Sequence, residues 1–328
     1  MKKLVIGLFF LTTALGAFAI PPADPFGKPL DSPDCIKVPE DKGSQEGDEV
    51  LCVGRNGEFC AYPIRMMSYH RIVNDHLGGP PILVVYDPTM ATGQVWDPVV
   101  AGKGYNFDPH INSHGYPTIK DRETGSIWSE LTGQAVDGPL KGTRLKPITS
   151  WIMTWRAWAD LHGDSYVLKA VATNEEYKQR ITDEKAFHFN GPTPAAINKL
   201  APNFVLGIEA DGLSHAYTYT SLNQGTGVLN DHQLNTDIAI FSDASRRAAA
   251  AFIATLDAKK LTFTTQDRSG KRVWLDTQTH SVWNLEGNAT EGELKGKSLT
   301  PTHFVRTRWM AWSAAYPQSK LATRVKKK

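Results

Sequence analysis

One long pattern occurs twice in this chain, and that limits the folds open to it. Val50-Leu51-Cys52-Val53-Gly54-Arg55-Asn56-Gly57 and Ala61-Tyr62 return as Val205-Leu206-Gly207-Ile208-Glu209-Ala210-Asp211-Gly212 and Ala216-Tyr217. Asn74-Asp75-His76 returns as Asn230-Asp231-His232, and Ser126-Ile127-Trp128 as Ser281-Val282-Trp283. Trp155 and Trp158 match Trp309 and Trp312, and the offset stays between 154 and 156 residues throughout. A period this long, holding several distinct elements, indicates tandem lobes and not a solenoid. A scaffold must be kept in both copies and a site need not be, so the differences between copies carry the functional information.

The 328 residues suffice for two cores of ordinary size. Residues 1–19 read as a signal peptide: Lys2-Lys3, an apolar run, then Ala17-Phe18-Ala19. An irregular lead-in follows over 20–48, then lobe one over 49–168, a connector over 169–202, lobe two over 203–322 and a basic tail over 323–328. The expected location is periplasmic or secreted, with no membrane anchor once the leader is cleaved. The net charge of +2 is small and partly contributed by the leader, which argues against a nucleic-acid partner. An exported chain with Cys35, Cys52 and Cys60 is expected to form one disulfide involving Cys35, with one thiol left over. A two-residue turn at Asn56-Gly57 points Cys52 and Cys60 to opposite faces, whereas a three-residue loop would set them opposite each other.

Each lobe opens with a hairpin, around Asn56-Gly57 and around Asp211-Gly212. Helical spacing over 65–75 predicts a helix there, with a weaker one over 221–229. Strands are expected over 82–86, 238–241, 261–264 and 272–275. Each lobe closes with an aromatic helix; Trp151, Trp155, Trp158 and Leu161 form its stripe in lobe one. The fold class is α+β: two tandem β-rich repeats, each with a hairpin, a mixed or antiparallel sheet and a C-terminal aromatic helix.

Several short runs, taken in order, resemble a family of exported bacterial proteins of unknown function, the domain family numbered 3179. In lobe one these are Asn56-Gly57, Ala61-Tyr62-Pro63, His70-Arg71-Ile72-Val73-Asn74-Asp75, Asp121-Arg122 and Trp128-Ser129-Glu130-Leu131-Thr132-Gly133. Asp211-Gly212, Val228-Leu229-Asn230-Asp231 and Val282-Trp283-Asn284-Leu285 carry it through lobe two. The family typically reads Trp-His-Glu-Ile-Val-Asn-Asp where this chain has His70 to Asp75. It commonly carries Cys-Pro-x-Cys-Gly-Thr-Ala where this chain reads Asp87-Pro88-Thr89-Met90-Ala91-Thr92-Gly93. Any dithiol chemistry of relatives is therefore closed to those positions here.

His70, Met90, His110, His114 and His162 belong to lobe one alone; lobe two has Arg246 in place of Met90 and Tyr316 in place of His162. His70, Asp87 and Met90 could converge as metal ligands, with copper favoured by methionine and zinc by histidine with aspartate. Asp75, His110 and His114 are further candidates, although Pro109 and Gly115 speak against a helix that would aim the last two together. Asn74-Asp75-His76 recurs in both copies and reads as structural, at a helix end. The leading expectation is a periplasmic metal- or small-ligand-binding protein, leaning away from catalysis. The alternatives are an enzyme using a His–carboxylate pair in lobe one, with His70 as base and Asp75 or Asp87 orienting it, or a structural or interaction protein with a protein partner.

Overall fold

A computed structural model of the protein describes residues 27–110, 115–171, 177, 204–268 and 270–322. The leader, the start of the lead-in, His114, most of the connector and the basic tail lie outside the described residues. The fold is β-rich, with several sheets and few helices. No helix among the described residues is long and apolar enough to cross a membrane.

The Asn56-Gly57 turn closes a hairpin of Glu49–Arg55 with Glu58–Pro63, and Arg55 faces Glu58 across a two-residue loop. Both turn residues have positive φ (51° and 82°), which Asn and Gly tolerate best. This register pairs Cys52 with Ala61 and Val53 with Cys60, so the two cysteines do face opposite sides. Ser150–Thr154 joins the hairpin antiparallel and Tyr166–Leu168 joins it parallel, with Cys35–Lys37 at the edge. In the second half, Phe204–Ala210 and Leu213–Thr218 form the hairpin at Asp211-Gly212, flanked antiparallel by His303–Arg308 and parallel by Lys320–Ala322.

The first helix, α1, spans Ile64–His70, shorter than the periodicity over 65–75 suggests. Arg71 ends it in the left-handed region (φ 62°), its N–H bonding back to Met67 O at 2.8 Å. Ile72–His76 is then a strand pairing with Pro81–Asp87, as the β-branched Ile72 and Val73 favour. Asn74 and Asp75 are thus strand residues and do not cap a helix. Asn74 brackets Phe107 through both its backbone groups (2.9 and 3.1 Å), and Asp75 accepts the Tyr62 hydroxyl (2.8 Å). Asn230 and Asp231 do the same for Phe263 and Tyr217.

Helix α2 spans Trp155–Leu161, so Trp151 leaves the expected stripe and sits on the strand Ser150–Thr154. Thr154 marks the change: extended itself, it caps the helix by accepting Ala157 N–H at 3.3 Å. In the second half, α3 (Tyr219–Gln224) and α4 (Trp309–Ala315) follow strands in the same way.

The halves pack through a reciprocal seam. Thr154 N–H donates to Arg246 O at 2.9 Å, and Arg308 N–H donates to Met90 O at 3.1 Å. Strand Thr92–Asp97 lies against His303–Arg308, and Ser150–Thr154 against Ala248–Ile253. One core cluster joins Val50, Cys52 and Trp158 of the first half to Leu206, Ile240 and Phe252 of the second. A bidentate Glu49–Arg306 ion pair (2.7 and 3.0 Å) and a Thr92–Thr307 hydroxyl bond (2.5 Å) cross the same seam. His162 Nε2 meets Glu286 at 2.7 Å, its ring stacked on Phe59. On the other side, Glu209 binds Arg144, the Tyr316 hydroxyl and His303. Burial works to raise the Glu209 pKa, but these three partners outweigh it and hold the carboxyl well below its usual range.

Candidate functional site

The residues expected to gather as metal ligands are held apart by other bonds. His70, at the end of α1, is buried, with Nδ1 2.9 Å from Lys28 O and Nε2 3.4 Å from the Tyr177 hydroxyl. Burial pulls its pKa down, which favours the neutral ring. Asp87 lies at the end of Pro81–Asp87. It accepts the Met90 N–H (2.7 Å) and an Arg71 guanidinium N–H (3.0 Å). Met90 is buried in an apolar cluster with Leu131, Val305 and Trp312. His70, Asp87 and Met90 therefore do not form a ligand set: Arg71, a fixed positive charge, takes the carboxylate a cation would need. Asp75 is occupied by Tyr62, and burial raises its pKa. His110 ends the strand Phe107–His110, with Nδ1 3.2 Å from Thr118 Oγ1. His114 lies outside the described residues. Among those residues, no group of three or more His, Cys, Asp or Glu side chains is placed to hold a metal ion.

Cys35 and Cys60 approach each other, their sulfurs 3.7 Å apart, while Cys52 packs in a different core cluster. The neighbouring Cys35 thiol and burial push the Cys60 thiol well up, and burial does the same to Cys52. Neither buried thiol is a ready thiolate nucleophile.

Two arrangements were not picked out from sequence. The first is a buried charge cluster in the first half, where Glu130 lies beside the Arg71–Asp87 pair. Burial pushes the Glu130 pKa well up, Asp87 adds to the rise, and Arg71 opposes both. Its Oε2 is buried with no hydrogen-bond partner among the described residues. One repeat length on, the sequence has Gly227 for Arg71, Asp243 for Asp87 and Leu285 for Glu130. Gly227 also has positive φ (92°), and its carbonyl accepts Ser242 N–H as Arg71 O accepts Tyr86 N–H. The first half thus holds an arginine in a backbone conformation that suits glycine, a cost sites often carry. Aligning the two copies position by position exposes both residues.

Because the folded pKa of Glu130 lies above its unfolded value, its contribution to stability is full below the unfolded pKa. That contribution is lost as pH rises through the folded value. Glu130→Gln is therefore expected to flatten the alkaline side of the stability curve. Urea midpoints from pH 5 to 9 should converge at the acid end and diverge upward for the variant; parallel curves would mean that Glu130 ionises freely.

The second arrangement is an open groove at the seam, of about 560 Å³. Its wall includes the first turn of α2, the turn after Asp243 and the Gly270-Lys271 turn. Four cations, Arg156, Arg246, Arg247 and Lys271, line it with two carboxylates, Glu46 and Asp160. Arg156 reaches both acids (2.6 and 3.6 Å), Lys271 lies 3.9 Å from Asp160, and Arg246 lies 3.5 Å from Asp243 beneath. Across the seam three of these charged positions are apolar: Met90 replaces Arg246, and Met310 and Ala314 of α4 replace Arg156 and Asp160, while Arg308 stands in place of Thr154 with its Nε–H on Thr89 O. There Met90 is buried, Met310 packs on the same cluster, and a Cβ at Gly115 would meet the Ala314 methyl at 3.5 Å. Among the described residues, one side of the seam packs Met90 and Met310 into an apolar cluster, and the other is open and charged.

The family described as Protein of unknown function (DUF3179) matches residues 25–319, most of the chain, and the chain belongs to that family. No curated protein and no solved structure matches it.

Proposed function

We propose that this is an exported, non-enzymatic binding protein, made of two tandem copies of one β-rich lobe, that holds a compact polyanion in the groove at α2. A ligand bearing two or more carboxylate or phosphate groups is the class that fits. The observation that carries this reading is the contrast across the seam. Equivalent places hold buried Met90 with partly buried Met310 and Ala314 on one side, and four cations around an open groove on the other. Sealing a seam with apolar side chains is the stable default. Lining it with four cations against two acids is not, unless an anion is taken up there. Three of the four cations are arginines, whose forked donors suit carboxylate and phosphate oxygens.

The tandem reading is supported by the shared hairpin turns, the Asn–Asp pairs and the reciprocal seam bonds. Export rests on the leader over 1–19 and places the protein in a periplasm or outside the cell. A His–carboxylate enzyme in lobe one has less support, since the His70 nitrogens meet a backbone carbonyl and a tyrosine hydroxyl.

The test is calorimetric titration of the mature protein with citrate and with pyrophosphate at low and moderate salt. Binding that weakens with salt is expected, and Arg156→Ala with Lys271→Ala should weaken it at least tenfold, about 1.4 kcal/mol. Both side chains are about 60% exposed, so folding is not at stake. Absence of heat with either anion, or unchanged binding in the double variant, would overturn the groove assignment.

A further inference from the structure

We propose that Cys35 and Cys60 are the site of an intramolecular disulfide that clips the N-terminal strand to the first hairpin, leaving Cys52 as a permanently buried thiol. The two sulfurs already lie 3.7 Å apart. Cys60 belongs to the hairpin strand Glu58–Pro63 and Cys35 to the edge strand Cys35–Lys37, with Tyr166–Leu168 between them. Cys60, Leu168 and Cys35 all face the same core cluster, so the two thiols converge over the intervening strand. A bond of about 2.05 Å requires a further approach of roughly 1.7 Å. The strand that must move is three residues long, lies at a sheet edge and pairs on one side alone. Cys52 is excluded by register: it pairs with Ala61 and points into the opposite cluster with Trp158.

The chemistry is thiol–disulfide exchange with a disulfide-bearing oxidant, either a small-molecule disulfide or a protein one. Cys35, which is partly exposed, loses its proton and attacks the oxidant, forming a mixed disulfide and releasing one thiol. Cys60 then attacks the Cys35 sulfur, closing the bond and releasing the second thiol. Two cysteine thiols are oxidised, one disulfide is reduced to two thiols, and the two protons leave with the released thiols. Cys60 is buried and its pKa is raised, so closure is expected to be fast during folding and slow once the hairpin is packed.

The clip secures a weakly held part of the fold. The Cys35 strand has one sheet neighbour among the described residues, Tyr166–Leu168, which itself leads into the connector. Covalent closure also shortens the unfolded chain across the 25 positions that separate the two cysteines.

The mature protein would be refolded with a glutathione redox couple, denatured and titrated for thiols, and its peptides mapped by mass without reduction. The expected result is one free thiol per chain, at Cys52, and a Cys35–Cys60 peptide. A Cys52→Ser variant should retain the bond with no free thiol, and Cys35→Ser should melt about 5 °C lower than the oxidised parent. Three free thiols after oxidative refolding, or a pair containing Cys52, would overturn the assignment. The same count on protein recovered from cells tests export separately. Reduced protein in the cell that closes its bond in vitro would count against an oxidising location and leave the Cys35–Cys60 site standing.

Discussion

Arg71→Ala is expected to destabilise the protein by about 3–5 kcal/mol, the range for breaking a buried ion pair by removing one partner. Both partners are nearly enclosed, with side chains 10% and 11% exposed at 3.0 Å separation. Without the guanidinium, Asp87 keeps the Met90 N–H but loses its countercharge, and Glu130 loses the one neighbour that favours its ionised form. Alanine does not relieve the backbone, because φ at this position is 62°. Arg71→Gly removes the same charge and relaxes that strain, so it should recover about 1 kcal/mol relative to alanine. Urea unfolding should rank the parent first, glycine second and alanine last. An alanine variant within 1 kcal/mol of the parent would show that the pair is an incidental contact.

The second large effect concerns one motif used twice. Asp121 is fully buried and accepts the Trp128 indole N–H (2.8 Å), the Thr124 N–H (2.5 Å) and the Thr124 hydroxyl (2.8 Å). Asp276 does the same for Trp283 (3.0 Å) and Thr279 (2.5 and 2.9 Å). Ser126 and Ser281 complete each turn by accepting the N–H of Leu140 and Leu294. Deleting either carboxylate leaves a buried indole and turn amides without an acceptor. Asp121→Ala and Asp276→Ala are each expected to cost roughly 3–4 kcal/mol, with asparagine intermediate. Burial works to raise the Asp121 pKa, yet the bonds from Trp128 and Thr124 bring it below its ordinary value. A depressed pKa contributes stability above the unfolded value and loses it as pH falls through the folded one, so the parent's advantage should shrink in acid. Tryptophan fluorescence during urea unfolding reads both variants. A silent Asp276→Ala beside a damaging Asp121→Ala would mean the second half does not rely on its copy of the motif.

Much of this was legible from residues alone, for a physical reason. Turn chemistry is local, so Asn56-Gly57 and Asp211-Gly212 mark both hairpins, while the loop length that sets Cys52 and Cys60 on opposite faces comes from the structure. The overlong helix over 65–75 arose because Ile72 and Val73 suit helical spacing and a strand equally well. The break depends on a left-handed Arg71, which arginine does not advertise. Trp151 was misplaced because the capping role of Thr154 competes with a plausible stripe. For the expected metal set, sequence shows ligand types but not Arg71, the cation already beside Asp87. Two departures from the resembled family, arginine for its glutamate and Asp87 for its first cysteine, meet in a single ion pair. The groove was invisible because it joins residues from both halves and needs the seam to exist.

That seam has a wider meaning. Each half gives one backbone donor, Thr154 or Arg308, and one acceptor, Met90 or Arg246, to the other. Reciprocal bonds of this kind are what an isologous interface carries, where one patch meets itself. A self-paired dimer must carry identical residues on both sides of its axis, and so cannot seal one side while opening the other. One continuous chain is free of that constraint: Met90 O and Arg246 O accept matching bonds here, yet one side chain lies in an apolar cluster and the other at a charged groove.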